Sequence, residues 1–130
     1  EKIRLEIITP EGQVLQEMVD SVTAPGALGG FGILVNHAQI MSALEIGVLE
    51  YTKDGVKEKV AISQGFLENN HNEVMVLVHT AELAKNIDRE RALAAKARAE
   101  KHLAEKNTDL DIKRAQAALA RAMARVKASE

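Results

Sequence analysis

Ile87-Asp88-Arg89-Glu90-Arg91-Ala92 is the seam of this chain. All eight glycines and both prolines lie upstream of it, among short β-type runs. Downstream comes an alanine- and arginine-rich tail with no glycine and no proline. So abrupt a change of composition predicts a change of architecture, here a β unit over residues 1–84 and an α unit over 85–130. The fold class expected is an all-β N-terminal sandwich or flattened barrel followed by a C-terminal antiparallel α-helical hairpin.

Working upstream, Ile3, Leu5 and Ile7 alternate with Arg4, Glu6 and Ile8, close to the period of two of a half-buried strand. Pro10-Glu11-Gly12 makes a turn, and Gln13 to Met18 and Ser21 to Ala24 are further short strands. Leu49 to Lys53, Asp54-Gly55 and Val56 to Ile62 read as a hairpin, because Asp-Gly suits a tight turn needing positive φ at both central positions. A second hairpin runs from Gly65 through Asn69-Asn70-His71-Asn72 to Val74–Val78. Strands at this spacing, with no helical interruption, predict the sandwich.

Between them, Ala24 to Ala38 holds four glycines, which implies backbone in conformations other residues avoid. No Gly-Lys-Ser/Thr follows and no helical pattern opens behind it, so a phosphate loop is not expected. The segment reads as a structural loop with an exposed apolar tip.

Working downstream, Asp88 is placed to cap a helix, and Arg89 to Lys106 contains only good helix formers. Asn107 breaks the run. Thr108-Asp109-Leu110-Asp111 fits a capping box, and a second helix runs to about Lys127. A connection this short predicts an antiparallel pair. Alanine favours helix but buries little, each missing methylene forgoing ~0.8 kcal/mol. Both helices exceed the ~12–15 residues at which an Ala-rich helix is marginal alone. The hairpin should therefore be helical yet weakly held, free to open without melting.

On the second helix Ile112, Leu119, Met123 and Val126 form an apolar stripe, with Arg114, Arg121 and Arg125 opposite. On the first, Arg91 and Arg98 are nearly aligned. Two readings stand at this point. The arginines are solvated helix faces, or they converge on a polyphosphate, whose oxygens match guanidinium forks.

Charge is divided along the same seam. Residues 1–84 carry 5 Lys/Arg against 12 Asp/Glu, and residues 85–130 carry 12 against 7. The tail is a basic arm on an acidic body, suited to its own body, an acidic partner or a phosphate-bearing ligand. Nucleic-acid binding is not expected, since Phe31, Tyr51 and Phe66 are the only aromatics and no reader motif is present. The absence of cysteine excludes a disulfide framework and a thiolate metal site, and fits a reducing compartment. No apolar run approaches the ~20 residues of a membrane span, and a strand pattern from the first residues leaves no signal peptide expected. His37, His71, His79 and His102 are scattered, without metal-ligand spacing, so no metal is required. Asp109 and Asp111 are explained by helix capping. With no nucleophile or Walker lysine motif, the chain is not expected to be an enzyme by itself.

Two stretches carry a resemblance to the epsilon subunit of bacterial F-type ATP synthases. Gly29-Gly30-Phe31-Gly32-Ile33-Leu34-Val35-Asn36-His37-Ala38 resembles the family's Gly-x-x-Gly-Ile-Leu-Pro-x-His-Ala loop, departing at Val35, where most members have proline. Ile87-Asp88-x-x-Arg91-Ala92 is similar to the Ile/Leu-Asp-x-x-Arg-Ala motif of members that bind ATP in the C-terminal domain. The resemblance spans the whole chain.

It implies a non-catalytic subunit of the central stalk in a peripheral complex on the cytoplasmic face of the cell membrane. The sandwich would dock on the gamma subunit and on the membrane ring, with Phe31 and His37 at a partner interface and no part inserted in the bilayer. The hairpin would permit turnover when folded and block ATP hydrolysis when extended toward the catalytic head. ATP enters as a regulatory ligand, a signal and not a substrate. By the same resemblance Glu82 would contact the adenine side, Ile87 and Ala92 would give apolar contact to the base, and Asp88 would hold a polar edge of the nucleotide. Arg91 would support the site, and Arg98, Arg121 and Arg125 would take the phosphates. Arg114 falls outside that set and reads as surface. The same stalk subunit without nucleotide sensing, its arginines serving only as partner contacts, is the alternative.

Overall fold

The structure, a computed structural model, describes residues 1–105 and 108–130. Ten strands come first: β1 (Ile3–Thr9), β2 (Gly12–Val19), β3 (Ser21–Gly26), β4 (Gly29–Leu34), β5 (Ile40–Leu44), β6 (Gly47–Lys53), β7 (Val56–Ile62), β8 (Gly65–Asn70), β9 (Glu73–Val78) and β10 (Ala81–Leu83). A 3₁₀ turn at Ala84–Asn86 leads to α1 (Arg89–Ala104) and α2 (Asp109–Ala128). The β-sandwich and helical hairpin expected from the sequence are both present.

The strands form one folded-over sheet in the order β10-β7-β6-β3-β5-β8-β9-β1-β2, with β4 on β3. β3 turns the corner: Ser21 to Thr23 pair with β6, while Gly26 pairs with Leu44 of β5. Alternation does what the sequence pattern requires. Ile3, Leu5 and Ile7 are fully buried, and they meet Val19, Leu49, Val60, Leu67, Val74 and Val76 in a core dominated by branched aliphatics. Such side chains fit a pleated, half-buried surface.

The hairpin turns have the expected chemistry. Asp54 and Gly55 both take positive φ, 51° and 81°. His71 and Asn72 do the same at 51° and 64°, so the second turn is tighter than the four-residue Asn69–Asn72 segment suggested. Lys2 donates to Asp20, between β2 and β3, and to Asp54, and so ties the chain start to the β2–β3 connection and the β6–β7 turn. That hydrogen bond, with a carboxylate oxygen as acceptor, holds the Asp20 carboxyl below its ordinary range.

Three strands were not legible. The glycine segment, expected as a loop, contributes β4, whose six residues pair in unbroken register with β3. Gly29, Gly30 and Gly32 show no side-chain period, but a backbone ladder needs none. β5 and the three-residue β10 were too short and too mixed to stand out. The expected apolar tip is present, however: Leu28, between β3 and β4, is fully exposed.

Both helix starts are capped as predicted. The Asp88 carboxylate accepts from Arg91 N at 3.1 Å, and the Thr108 hydroxyl accepts from Asp111 N at 3.2 Å. α1 is helical to Ala104; the expected continuation to Lys106 and the break at Asn107 lie outside the described residues.

The buried face of α2 differs from the predicted stripe. Ala115, Ala122, Ala124 and Ala128 are the buried residues, while Ile112, Leu119 and Val126 are half-buried and Met123 is exposed. Small side chains allow close approach, so the alanine face lies against its neighbours and the longer residues flank it. Ala124 and Ala128 pack on Ala61 of β7, with Ile46, Val48 and Ile87 around them. One tie reinforces this seam: Arg125 Nε donates to Glu82 Oε1 of β10 at 2.7 Å. That pair is more than one-third exposed on both sides, so it adds ~0–1 kcal/mol at most. The hairpin is folded onto the sandwich by a small interface.

Two substitutions test these assignments. At Gly65 a Cβ would stand 1.9 Å from Leu77 O, whereas at Gly32 nothing lies nearer than 3.9 Å. Gly65→Ala should lower the unfolding free energy by about 1–3 kcal/mol or more, and Gly32→Ala far less, in denaturant titrations. Ala124→Asp puts a carboxylate into the seam and should weaken hairpin docking by about 1–3 kcal/mol. Hydrogen exchange should then quicken in β10 and at the α2 seam while amides of β1 and β9 stay protected.

Candidate functional site

Where β10, the Asn86–Asp88 segment, α1 and α2 meet, a cavity of about 340 Å³ opens. It is lined by Glu82, Asn86, Asp88, Arg91, Ala92, Ala95, Arg98 and Arg125. Six of the eight residues expected at a nucleotide site are therefore brought together. Residues 82 and 125 are 43 positions apart in sequence, and only the folded-back hairpin makes them neighbours.

Each wall has a local cause. Asp88 sits at the helix entry, where its carboxylate satisfies an amide that would otherwise lack a partner. Arg91 and Arg98 lie two turns apart on one face of α1. Ala92 is buried and keeps the floor low. Arg125 reaches in from α2, steered by Glu82. The lining mixes the carboxylates of Glu82 and Asp88 with the guanidiniums of Arg91, Arg98 and Arg125, and guanidinium forks of this kind suit an anionic ligand.

The remaining two expected residues stand nearby. Arg121 borders a narrow cleft with Glu82, Thr80 and Arg125, and it also lines a second, larger groove between α1 and α2. Ile87 does not line the cavity; it is half-buried against the alanine seam. An apolar residue at that position is thus used in holding the hairpin down.

At one end of the sandwich, the β8–β9 turn clasps the loop after β4. Asn69 Nδ2 donates to the carbonyls of His37 and Ala38 at 3.2 and 3.1 Å. Asn72 Oδ1 accepts from Asn36 N at 2.6 Å, and Gln39 Nε2 donates to Asn70 Oδ1 at 2.7 Å. His37 is left exposed on a fixed backbone, with its Nδ1 2.8 Å from Ala38 O. Phe31 is half-buried against the core. Its ring occupies the space that a Cβ on Gly26 would need, 2.8 Å away. Of the two expected interface residues, only His37 is openly presented.

A larger surface was missed. Met41, Phe66, Met75 and Leu77 are exposed on adjoining strands β5, β8 and β9, with Ala43, Phe66 and Leu77 in direct register across them. The signal was present in the sequence. Phe66-Leu67 and Val76-Leu77 are apolar pairs inside strands, and strand alternation forces one member of each pair outward. Glu68 stands in register between Met41 and Met75, so the apolar groups flank one carboxylate, and exposed apolar groups clustered in this way are a candidate interaction surface.

Among the described residues no helix is long and apolar enough to cross a membrane, and no group of three His, Asp or Glu is arranged to hold a metal ion.

Comparison with known proteins agrees with this architecture. Residues 2–84 match the model of the ATP synthase delta/epsilon chain β-sandwich domain, and residues 85–130 that of the delta/epsilon chain long α-helix domain. The ATP synthase epsilon chain of Desulfitobacterium hafniense strain DCB-2 is 48% identical over 125 residues, spanning 96% of this chain and 94% of that relative. That of Desulforamulus reducens is 48% identical over 127 residues, spanning 98% and 96%. Among solved structures, a chain of the Euglena gracilis mitochondrial ATP synthase OSCP/F1/c-ring assembly superposes with a TM-score of 0.84 at 25% identity. The match covers 98% of this chain and 81% of that one. A chain of the Tetrahymena thermophila mitochondrial ATP synthase shares the fold at a TM-score of 0.66 and 15% identity, covering 100% and 98%. With both domains matched and close relatives aligned over nearly their full length, the chain belongs to the ATP synthase delta/epsilon family, as an epsilon chain.

Proposed function

We propose that this chain is a non-catalytic central-stalk subunit of a rotary ATP synthase whose helical hairpin inhibits ATP hydrolysis when extended and is held folded by bound ATP. The observation that carries this reading is the make-up of the 340 Å³ cavity: β10, the segment before α1, α1 and α2 all supply its walls. A ligand bound there contacts the folded hairpin and loses its site when α2 swings away. Such a ligand stabilises the folded form by RT ln(1 + [L]/Kd), ~2.7 kcal/mol at a hundredfold excess over Kd. The docking seam it reinforces consists of alanine packing and one half-exposed ion pair, so an increment of that size changes the populations decisively.

In this reading the base lies toward Ala92 and Asp88, near Glu82 and the edge of Ile87. Arg91 supports it, and Arg98, Arg121 and Arg125 face the phosphates. ATP acts as a signal. When ATP is scarce the hairpin opens, and its basic helices meet an acidic surface on the catalytic head, an attraction that salt weakens. The apolar face of Met41, Phe66, Met75 and Leu77 docks on the gamma subunit. Leu28 faces the membrane ring, and the clasped loop carrying His37, at the other end of β4, makes a separate partner contact. The complex sits peripherally on the cytoplasmic face of the cell membrane.

Isothermal titration of the chain with ATP should give saturable binding that discriminates against non-adenine nucleotides. Arg98→Ala, or Arg121→Ala with Arg125→Ala, should weaken it by tenfold or more. No heat and no change in hairpin protection would leave a passive stalk subunit whose arginines only contact partners. Phe66→Asp should abolish co-purification with a gamma-type subunit while leaving ATP affinity within twofold. Retained co-purification would move the gamma contact elsewhere on the sandwich.

A further inference from the structure

The groove between α1 and α2 is about 700 Å³, twice the size of the cavity it adjoins, and shares Ala95, Arg98 and Arg125 with it. Its floor is alanine: Ala99 and Ala115 are buried. Its rim carries Arg98 from α1 and Arg114, Arg121 and Arg125 from α2. Spacings of seven and four residues put the last three on one helix face. Among the described residues Arg98, Arg114 and Arg121 form no ion pair.

A triphosphate held by Arg98, Arg121 and Arg125 leaves Arg114 unengaged, about 10 Å further along the helix axis. The groove nevertheless continues to it. It ends at Glu105 and Asp111, near the turn of the hairpin, and Asp111 already accepts from the Thr108 hydroxyl at 2.9 Å. The charge pattern along the groove is thus a cationic run closed by carboxylates, which repel an anion and set its far limit.

We propose that this groove is a binding site for a linear phosphate chain longer than a triphosphate, with Arg114 engaging the units beyond the third. Guanidinium forks along one rim and a floor without polar groups suit a ligand of repeating anionic units. Both helices supply the site, so its ligand closes the hairpin pair on itself. The site shares Arg98 and Arg125 with the nucleotide cavity, so a phosphate chain and the ATP of the proposed reading compete for the same guanidiniums, while Arg114 belongs to this groove alone.

Titration calorimetry of the full chain with tripolyphosphate and with a linear polyphosphate of about eight units tests this, alongside ATP and adenosine 5′-pentaphosphate. The long inorganic chain should bind at least tenfold tighter than tripolyphosphate, and the pentaphosphate tighter than ATP. Arg114→Gln should erase that gain and leave ATP affinity within twofold. Lys113→Gln removes the same charge one residue away and should preserve the gain. No gain with length, or equal loss in both variants, would overturn the site, the second outcome showing diffuse attraction alone. Failure of ATP to bind, with Arg114-dependent binding of the long chain intact, would sink the nucleotide reading and leave this one standing.

Discussion

The contact on which the rest of this architecture depends is the meeting of alanines from α2 with Ala61 of the sandwich. Alanine lets the helix approach the sheet closely, yet each side chain removes little apolar surface from water. The interior of the sandwich is built differently, from sixteen buried residues that are mostly Ile, Leu and Val. One chain therefore contains a rigid body and an appendage whose attachment is weak by composition. Because α1 and α2 are long and rich in the best helix former, detachment need not cost their helicity. Docking and helix formation thus rest on different interactions.

The site is placed where that separation has consequences. Glu82 belongs to the sandwich, Asp88 to the helix entry, Arg91 and Arg98 to α1, and Arg125 to α2. A cavity contained within the sandwich would be indifferent to the hairpin, and one contained within a single helix would be indifferent to docking. This one draws its walls from both. The Glu82–Arg125 pair shows the same logic without a ligand, since its two charges are within hydrogen-bond reach only while α2 lies against β10.

Much of this was legible in the residues. Strand alternation located β1, whose Ile3, Leu5 and Ile7 are buried, and hairpin signals located β6, β7 and β9, the Asp54-Gly55 turn declaring itself through a requirement for positive φ. Helix caps were legible at Asp88 and Thr108 because capping is a local interaction. What failed to show were features decided at a distance. β4 is a strand because β3 offers it a ladder, not because its glycines prefer one. The buried face of α2 was misjudged because hydrophobicity ranks Met123 above Ala124, whereas close packing against Ala61 ranks them the other way. The arginines were visible as a periodic set, but periodicity could not separate solvated faces from a shared groove. Only the antiparallel pairing of the helices brings Arg98 to the same groove as Arg121 and Arg125.

The two surfaces of the sandwich add a final constraint. The apolar face on β5, β8 and β9 and the clasped loop carrying His37 are formed by strands and turns outside the main contacts of α2, which are with β6 and β7. The exposed apolar face and the docked hairpin thus lie on different strands of one body. The Asn69 bonds to the His37 and Ala38 carbonyls serve that division. They fix the loop from within the sandwich, so its presentation does not depend on whether the hairpin is folded. The bonds that fix this loop and the alanine seam that docks the hairpin thus belong to different residues.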